Sequence, residues 1–193
     1  MTDFVSRGGL KLDHALRILA VEANGLVCAD LGCSTGGFTD CWLRHNAARV
    51  YAVDTGYGVL DWKLRNDTRV VVVERTNAMH VTLPEAVDRI SIDVAWTKQE
   101  KILPSARRLL KPDGRIVTLI KPHYEADPKQ LRKGVLPEEA VASVVEETLA
   151  RVTACGFRVL GTVGSPIKGS KGNSEVLALL AVETAGESDR RTV

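Results

Sequence analysis

RIVTLIKPHYEA, residues 115–126, sets five apolar or β-branched residues (116–120) in an unbroken run and then places Lys121 directly against Pro122. A run without polar alternation reads as a strand buried on both faces, the signature of a parallel sheet covered by helices. Proline ends the run, so Lys121 is delivered at the strand's carboxyl end. A lysine in that place needs a reason.

Similar runs recur along the chain at residues 25–32 (GLVCADLG), 48–54 (ARVYAVD), 69–74 (RVVVVE), 89–96 (RISIDVAW), 157–164 (FRVLGTVG) and 175–182 (EVLALLAV), making seven expected strands. Helical patterns occupy residues 97–110 and, with Pro137 at the expected first helical position, residues 137–155. Before the first strand, KLDHALRILAVE sets Leu12, Ala15, Leu16 and Leu19 on one helical face that should pack on the sheet. This alternation predicts an α/β fold, a mostly parallel sheet with helices on both faces. The last two runs are separated only by GSPIKGSKGNS, too short for a helical crossover, so they are expected to pair antiparallel. Five parallel strands closed by an antiparallel pair is the Rossmann-like layout of class I methyltransferases, whereas dinucleotide dehydrogenases keep the sheet parallel.

A chain of 193 residues, 45% hydrophobic and 26% charged, suits one domain with a full core. Residues 1–24 form an N-terminal segment and helix, and the polar residues 184–193 are expected to be a disordered tail. No apolar run approaches the roughly 20 residues of a membrane-spanning helix, and MTDFVSRGGLK lacks the apolar core of a secretory signal, so a cytoplasmic place without membrane partners is expected. Cys28, Cys33, Cys41 and Cys155 form no CxxC pair and the four histidines are scattered, so neither a metal site nor a disulfide framework is expected. Cys28, inside an apolar run, reads as a small buried thiol. A net charge of +2 is too mild to argue for nucleic acid, but cations gather in SRGGLK, KLRNDTR, ARRLLK, KQLRK and IKGSKG. On one side of the fold these groups make a phosphate-binding face; scattered, they are solvated surface.

The first strand runs into DLGCSTGGF, residues 30–38, and then a helix. Its glycines, Gly32, Gly36 and Gly37, make a tight turn where backbone approaches a ligand and helix N-terminal amides meet an anion. The spacing is not the GxGxxG of a pyrophosphate cradle, so a carboxylate such as the methionine end of S-adenosylmethionine (SAM) fits better. Asp30, Ser34, Thr35 and Phe38 join these glycines as candidate cofactor contacts. Asp54 ends the second strand about 20 residues on, where a carboxylate accepts the hydroxyls of a nucleoside ribose; its bland alternative is a cap. Asn77, in ERTNAMH, either reaches the adenine edge or simply forms a turn. Asp93 and Lys121 end the fourth and fifth strands, placing an acid and a base at the carboxyl edge where ligands of such folds bind, or else forming a structural ion pair.

SRGGLKL, DLGCSTGGFTDCWL, VYAVDTGYGVLDWKLRND, VERTNA, KILPSARRLLKPDGRIVTLIKPHYEA and SPIKGSKGNSE resemble, in order, the successive motifs of the haemolysin A (TlyA)-type RNA methyltransferases, relatives of the FtsJ-type ribose methyltransferases. The resemblance covers about residues 5–182 and implies a Lys-Asp-Lys-Glu tetrad for SAM-dependent 2'-O methylation of ribosomal RNA. The matching positions are Lys11, Asp93, Lys121 and Glu175, with Asp93 also beside the methyl group. Lys121 would take the hydroxyl proton or orient the oxygen, Asp93 would anchor it, and Lys11 and Glu175 would position the substrate. Removing a proton requires a neutral lysine, a form that burial and Lys11 favour and the two acids oppose.

Where the family reads DVSF this chain has DVAW, keeping an aromatic at Trp96, and polar residues follow. Longer members carry a small RNA-binding domain ahead of SRGG, so a different substrate choice or an RNA-binding partner protein is expected. Two other readings compete. An acid followed three residues later by an aromatic also suits a base N-methyltransferase, although NPPY-like prolines are missing and no cysteine follows that strand for carbon methylation. A non-catalytic SAM- and RNA-binding protein would have no need of Lys121.

Overall fold

The computed structural model describes residues 4–183, so the expected disorder of residues 184–193 lies outside the described residues. Seven strands form one sheet: β1 Val27–Leu31, β2 Arg49–Val53, β3 Val70–Val73, β4 Val87–Ile92, β5 Leu110–Ile120, β6 Phe157–Gly164 and β7 Val176–Val182. Their order is β3-β2-β1-β4-β5-β7-β6. The strands β1 to β5 pair in parallel, while β7 runs antiparallel to both neighbours, β5 and β6. This is the class I layout expected, refined in one respect: only β7 is reversed, and β6 points with the parallel set.

Burial follows from the unbroken apolar runs. In β5, Val117 and Leu119 belong to one core and Ile116 and Ile120 to the other. The first core is covered by α1 Gly8–Ile18, α2 Gly37–Arg44 and the short α3 Trp62–Arg65, through Leu12, Leu16, Trp42 and Leu64. The second is covered by α4 Gln99–Leu109 and α6 Glu138–Ala154, through Ile102, Leu103 and Val152. A single turn, α5 Pro122–Glu125, follows β5.

Several boundaries differ from the sequence reading, β5 among them, which begins at Leu110, well ahead of the apolar run at residues 116–120. Helix α1 starts at Gly8 instead of Lys11, because Gly8 and Gly9 let it settle against Gly37: a Cβ on Gly37 would come within 2.8 Å of the Gly9 nitrogen. Pro137 caps α6 in an extended conformation, ψ 140°, one place ahead of the first helical position. Strand β4 ends at Ile92, and Asp93 to Trp96 turn away, with Trp96 in the left-handed region at φ 61°. Cys28, Cys33 and Cys41 are buried, and desolvation pushes the Cys28 thiol up to about 12, so these are inert packing groups. The fold does gather Asp13, Cys41 and His45 within 4.8 Å. Asp13 there is already paired with Arg17 at 3.0 Å and His45 at 2.8 Å, and burial keeps the Cys41 thiol protonated.

Candidate active site

Both helix starts that meet at the glycines lie at the carboxyl edge of the sheet. The turn needs Gly36 at φ 101°, where Leu60 and Leu64 occupy the space of a side chain, and Gly32 at φ 88°, where a Cβ would stand 2.6 Å from the Asp93 carbonyl oxygen. Beneath it Asp30, fully buried, accepts hydrogen bonds from Thr39 Oγ1 at 2.8 Å and Ser91 Oγ at 2.9 Å; Ser91 in turn accepts from Trp42 Nε1 at 2.8 Å. Desolvation raises the Asp30 pKa from its ordinary 3.8 to about 7. Asp30 and Gly36, both expected among the cofactor contacts, are not in the walls of the two cavities above the turn; Asp30 braces the turn from beneath.

Two cavities open above the turn. One, of about 460 Å³, is walled by Ser6, Lys11, Gly32, Ser34, Thr35, Gly37, Phe38, Asp93, Lys121 and Lys168. The other, of about 450 Å³, holds Asp54, Asn77 and Trp96 and shares Gly32, Ser34, Asp93 and Ala95 with the first. Both sizes suit a small-molecule site, which spans about 300–1,000 Å³. The Asp54 carboxylate is fixed by two backbone donors, Ser34 N at 2.8 Å and Gly56 N at 2.7 Å. Each oxygen keeps a second lone pair for a hydroxyl. Asn77 forms a turn, its Oδ1 accepting from Met79 N at 2.9 Å, and the residue also lines the second cavity.

Lys11, Asp93, Lys121 and Glu175, the four positions expected to act together, form two ion pairs. Lys121 Nζ stands 2.5 Å from Asp93 Oδ1 and donates to the Val94 carbonyl at 3.3 Å. Lys11 Nζ donates to Glu175 Oε2 at 2.5 Å. The lysines are only 15% and 12% exposed, which reduces solvent screening of both pairs. Glu175 lies beneath Gly169, where any Cβ would strike its carboxylate. The loop between β6 and β7 is held over the edge by the buried Asn173, whose Oδ1 accepts from Leu136 N at 3.0 Å and whose Nδ2 donates to Gly134 and Ser170 carbonyls at 3.1 Å each. Nothing local in the sequence marks Asn173 for this task.

The cation clusters divide by location. Arg7, Lys11 and Lys168 stand around the first cavity. Of these, Lys11 pairs with Glu175 and Lys168 with Glu138 at 3.0 Å; away from the cavity, Arg65 pairs with Glu74, Arg69 with Asp67, Arg107 with the Cys155 and Gly156 carbonyls, and Lys111 with Asp88, so KLRNDTR and ARRLLK are largely spent on structure.

A family model described as FtsJ-like methyltransferase matches residues 4–181. The chain belongs to that family. This FtsJ-like methyltransferase is 42% identical over 183 residues to a Bacillus subtilis protein provisionally named rRNA methyltransferase YqxC, a match covering 90% of the chain and 64% of the relative. It is 40% identical over 187 residues to the 16S/23S rRNA (cytidine-2'-O)-methyltransferase TlyA of Mycobacterium tuberculosis, covering 94% and 69%. A solved structure from Streptococcus thermophilus, provisionally named a hemolysin, superposes with a TM-score of 0.91 at 38% identity over 95% of the chain and 68% of that protein. The FtsJ-like methyltransferase therefore spans roughly two thirds of these relatives.

The family's cofactor suits the groups present. A carboxylate beside an amide side chain fits a nucleoside, and the turn at the start of α2 offers amides that lack intrahelical acceptors to a carboxylate. Asp93 Oδ1, at the junction of the cavities, is buried without a well-aligned hydrogen bond among the described residues despite its ion pair. No described helix is long and apolar enough to cross a membrane.

Proposed function

We propose that the chain transfers a methyl group from SAM to a ribose 2'-hydroxyl of RNA, with ribosomal RNA the substrate class. The supporting observation is the placement of two lysine–carboxylate pairs, Lys121 with Asp93 and Lys11 with Glu175, around a cavity that adjoins the Asp54 cavity. SAM, when bound, supplies an already activated methyl group. What remains for the protein is to place an acceptor oxygen in line and deal with its proton. Asp54 and Asn77 hold the nucleoside end, and Gly32, Ser34, Thr35, Gly37 and Phe38 surround the methionine end.

Lys121 meets the acceptor hydroxyl, taking its proton or holding its oxygen by a hydrogen bond. Asp93 fixes Nζ of Lys121 at the junction of the cavities, where the nitrogen takes a proton only in its neutral form and otherwise holds the oxygen as a donor. Glu175, itself only 3% exposed, holds Lys11 against the opposite wall of the acceptor cavity, where its charge meets the RNA. Arg7 extends that positive rim, and an RNA-binding module or partner adds affinity that a net charge of +2 supplies only weakly.

The test is transfer of labelled methyl from SAM to RNA and to ribosomal subunits from cells lacking this protein, followed by digestion to nucleosides. Label on a ribose is expected, and Lys121→Ala should abolish it while leaving the SAM dissociation constant unchanged. Label on a base, or full transfer by Lys121→Ala, overturns the reading.

A further inference from the structure

A third cavity, of about 550 Å³, lies beside the two already described and takes no part in the function above. It is lined by Trp96, His123, Tyr124, Leu131 and Lys171. Trp96 also lines the Asp54 cavity and Ser170 also lines the Lys121 cavity, so this space opens directly onto the reaction edge. Its lining is aromatic: the Trp96 and Tyr124 rings are 5.0 Å apart and tilted by 34°, and the Tyr124 and His123 rings are 4.1 Å apart and tilted by 47°. Lys121 Nζ stands 5.9 Å from the centre of the Tyr124 ring, so one aromatic side chain touches both places.

His123 is the anomaly in this lining. It is 6% exposed, yet neither ring nitrogen has a hydrogen-bond partner among the described residues. Buried polar groups are nearly always paired, because an unpaired one forfeits its hydration without return. Burial and the neighbouring Lys121 charge both lower its pKa, so the ring is neutral near pH 7. A neutral imidazole presents one donor and one acceptor. Aromatic rings for stacking, beside an imidazole whose donor and acceptor are unclaimed, match the face and hydrogen-bonding edge of a nucleobase.

We propose that this cavity seats a base of the RNA substrate, that of the nucleotide whose ribose meets Lys121, and that His123 is a specificity-determining residue that hydrogen-bonds its edge. This rests on the RNA-ribose reading above. Apolar peptides would leave the imidazole unpaired, and a phosphate would have little use for the aromatic walls.

Two variants separate edge reading from packing: His123→Phe keeps a ring against Tyr124 but offers no hydrogen bond, and His123→Gln keeps one donor and one acceptor. The probes are the four ribonucleoside 5'-monophosphates, titrated into SAM-bound protein and followed by the imidazole resonances of labelled histidine and by tryptophan fluorescence. One monophosphate should bind more tightly than the rest and shift the His123 signals. Its affinity, and kcat/KM on ribosomal subunits, should fall about tenfold or more in His123→Phe and at most about threefold in His123→Gln, with the SAM dissociation constant unchanged throughout. Equal binding of all four monophosphates, no binding of any, or equal turnover by His123→Phe overturns the proposal. If the unsubstituted protein methylates ribose while His123→Phe matches it, only the base-edge assignment falls; if it methylates no ribose, the reading beneath it falls.

Discussion

Replacing Asp30 by asparagine should change how stability depends on pH. Asp30 is fully buried beneath the glycine turn, and its pKa rises from 3.8 to about 7 because burial outweighs its hydrogen bonds from Thr39 and Ser91. Between those values the native state keeps a proton that the unfolded chain releases, so the contribution of this group to stability falls as pH rises through that window. At about 1.4 kcal/mol per unit, the full effect is on the order of 4 kcal/mol, of which about 2 to 3 kcal/mol develops between pH 5 and pH 8. Asparagine does not titrate, and because the Thr39 and Ser91 hydroxyls can each donate or accept, its own fixed cost should be about 1 kcal/mol. Urea unfolding of both proteins at pH 5, 6, 7 and 8 gives the difference directly, provided the m-values agree. Asp30→Asn should gain on its parent steadily toward pH 8. Parallel stability profiles would show that Asp30 titrates alike in both states and that the buried network does not hold its proton.

Asp54→Ala removes a carboxylate gripped by two backbone amides and should weaken SAM binding at least about tenfold by calorimetry; an unchanged constant removes Asp54 from the cofactor site. Gly169→Ala should displace Glu175 from Lys11 and lower kcat with little effect on SAM affinity, so normal turnover would mean that the pair has no catalytic part. Arg7→Ala, at the cavity rim, should reduce the salt slope of RNA binding by about one, whereas Arg69→Ala, already paired with Asp67, should leave it unchanged. Equal slopes for the two variants would refute the division of the cationic groups.

All seven strands could be read from the sequence because each contains a short apolar, β-branched run, and double-sided burial makes such runs conspicuous; the polar first half of β5, Lys111 to Arg115, carried no such signal. The strand-end residues Asp54 and Lys121 follow from where those runs stop. Contacts between distant parts of the chain were less visible. The early start of α1 depends on glycine meeting glycine across about 30 residues. Asp30 and Thr35 are both polar positions beside the glycines, yet one faces the core and the other a cavity, a difference set by the backbone path through the turn. KLRNDTR and SRGGLK look equally cationic, and only the positions of Glu74 and Asp67 show that the first is largely neutralised at home. His123 stood two residues from the lysine that attracted notice, and its unpaired state becomes apparent only once its surroundings are assembled.

The reversed direction of β7 determines how the molecule can be joined to anything else. Its first residue, Val176, pairs with Ile120 at the reaction edge, and its last, Val182, pairs with Phe157 at the far edge. The chain therefore leaves β7 on the side remote from the cavities, while Ser6 and Arg7, just ahead of α1, stand in the wall of one of them. A module grafted before Phe4 emerges beside the cavity that holds Lys11 and Lys121, whereas an affinity handle placed after β7 starts from the opposite side of the sheet. The two ends are thus unequal sites for engineering: the first is suited to changing what is delivered, the second to holding the protein without touching delivery.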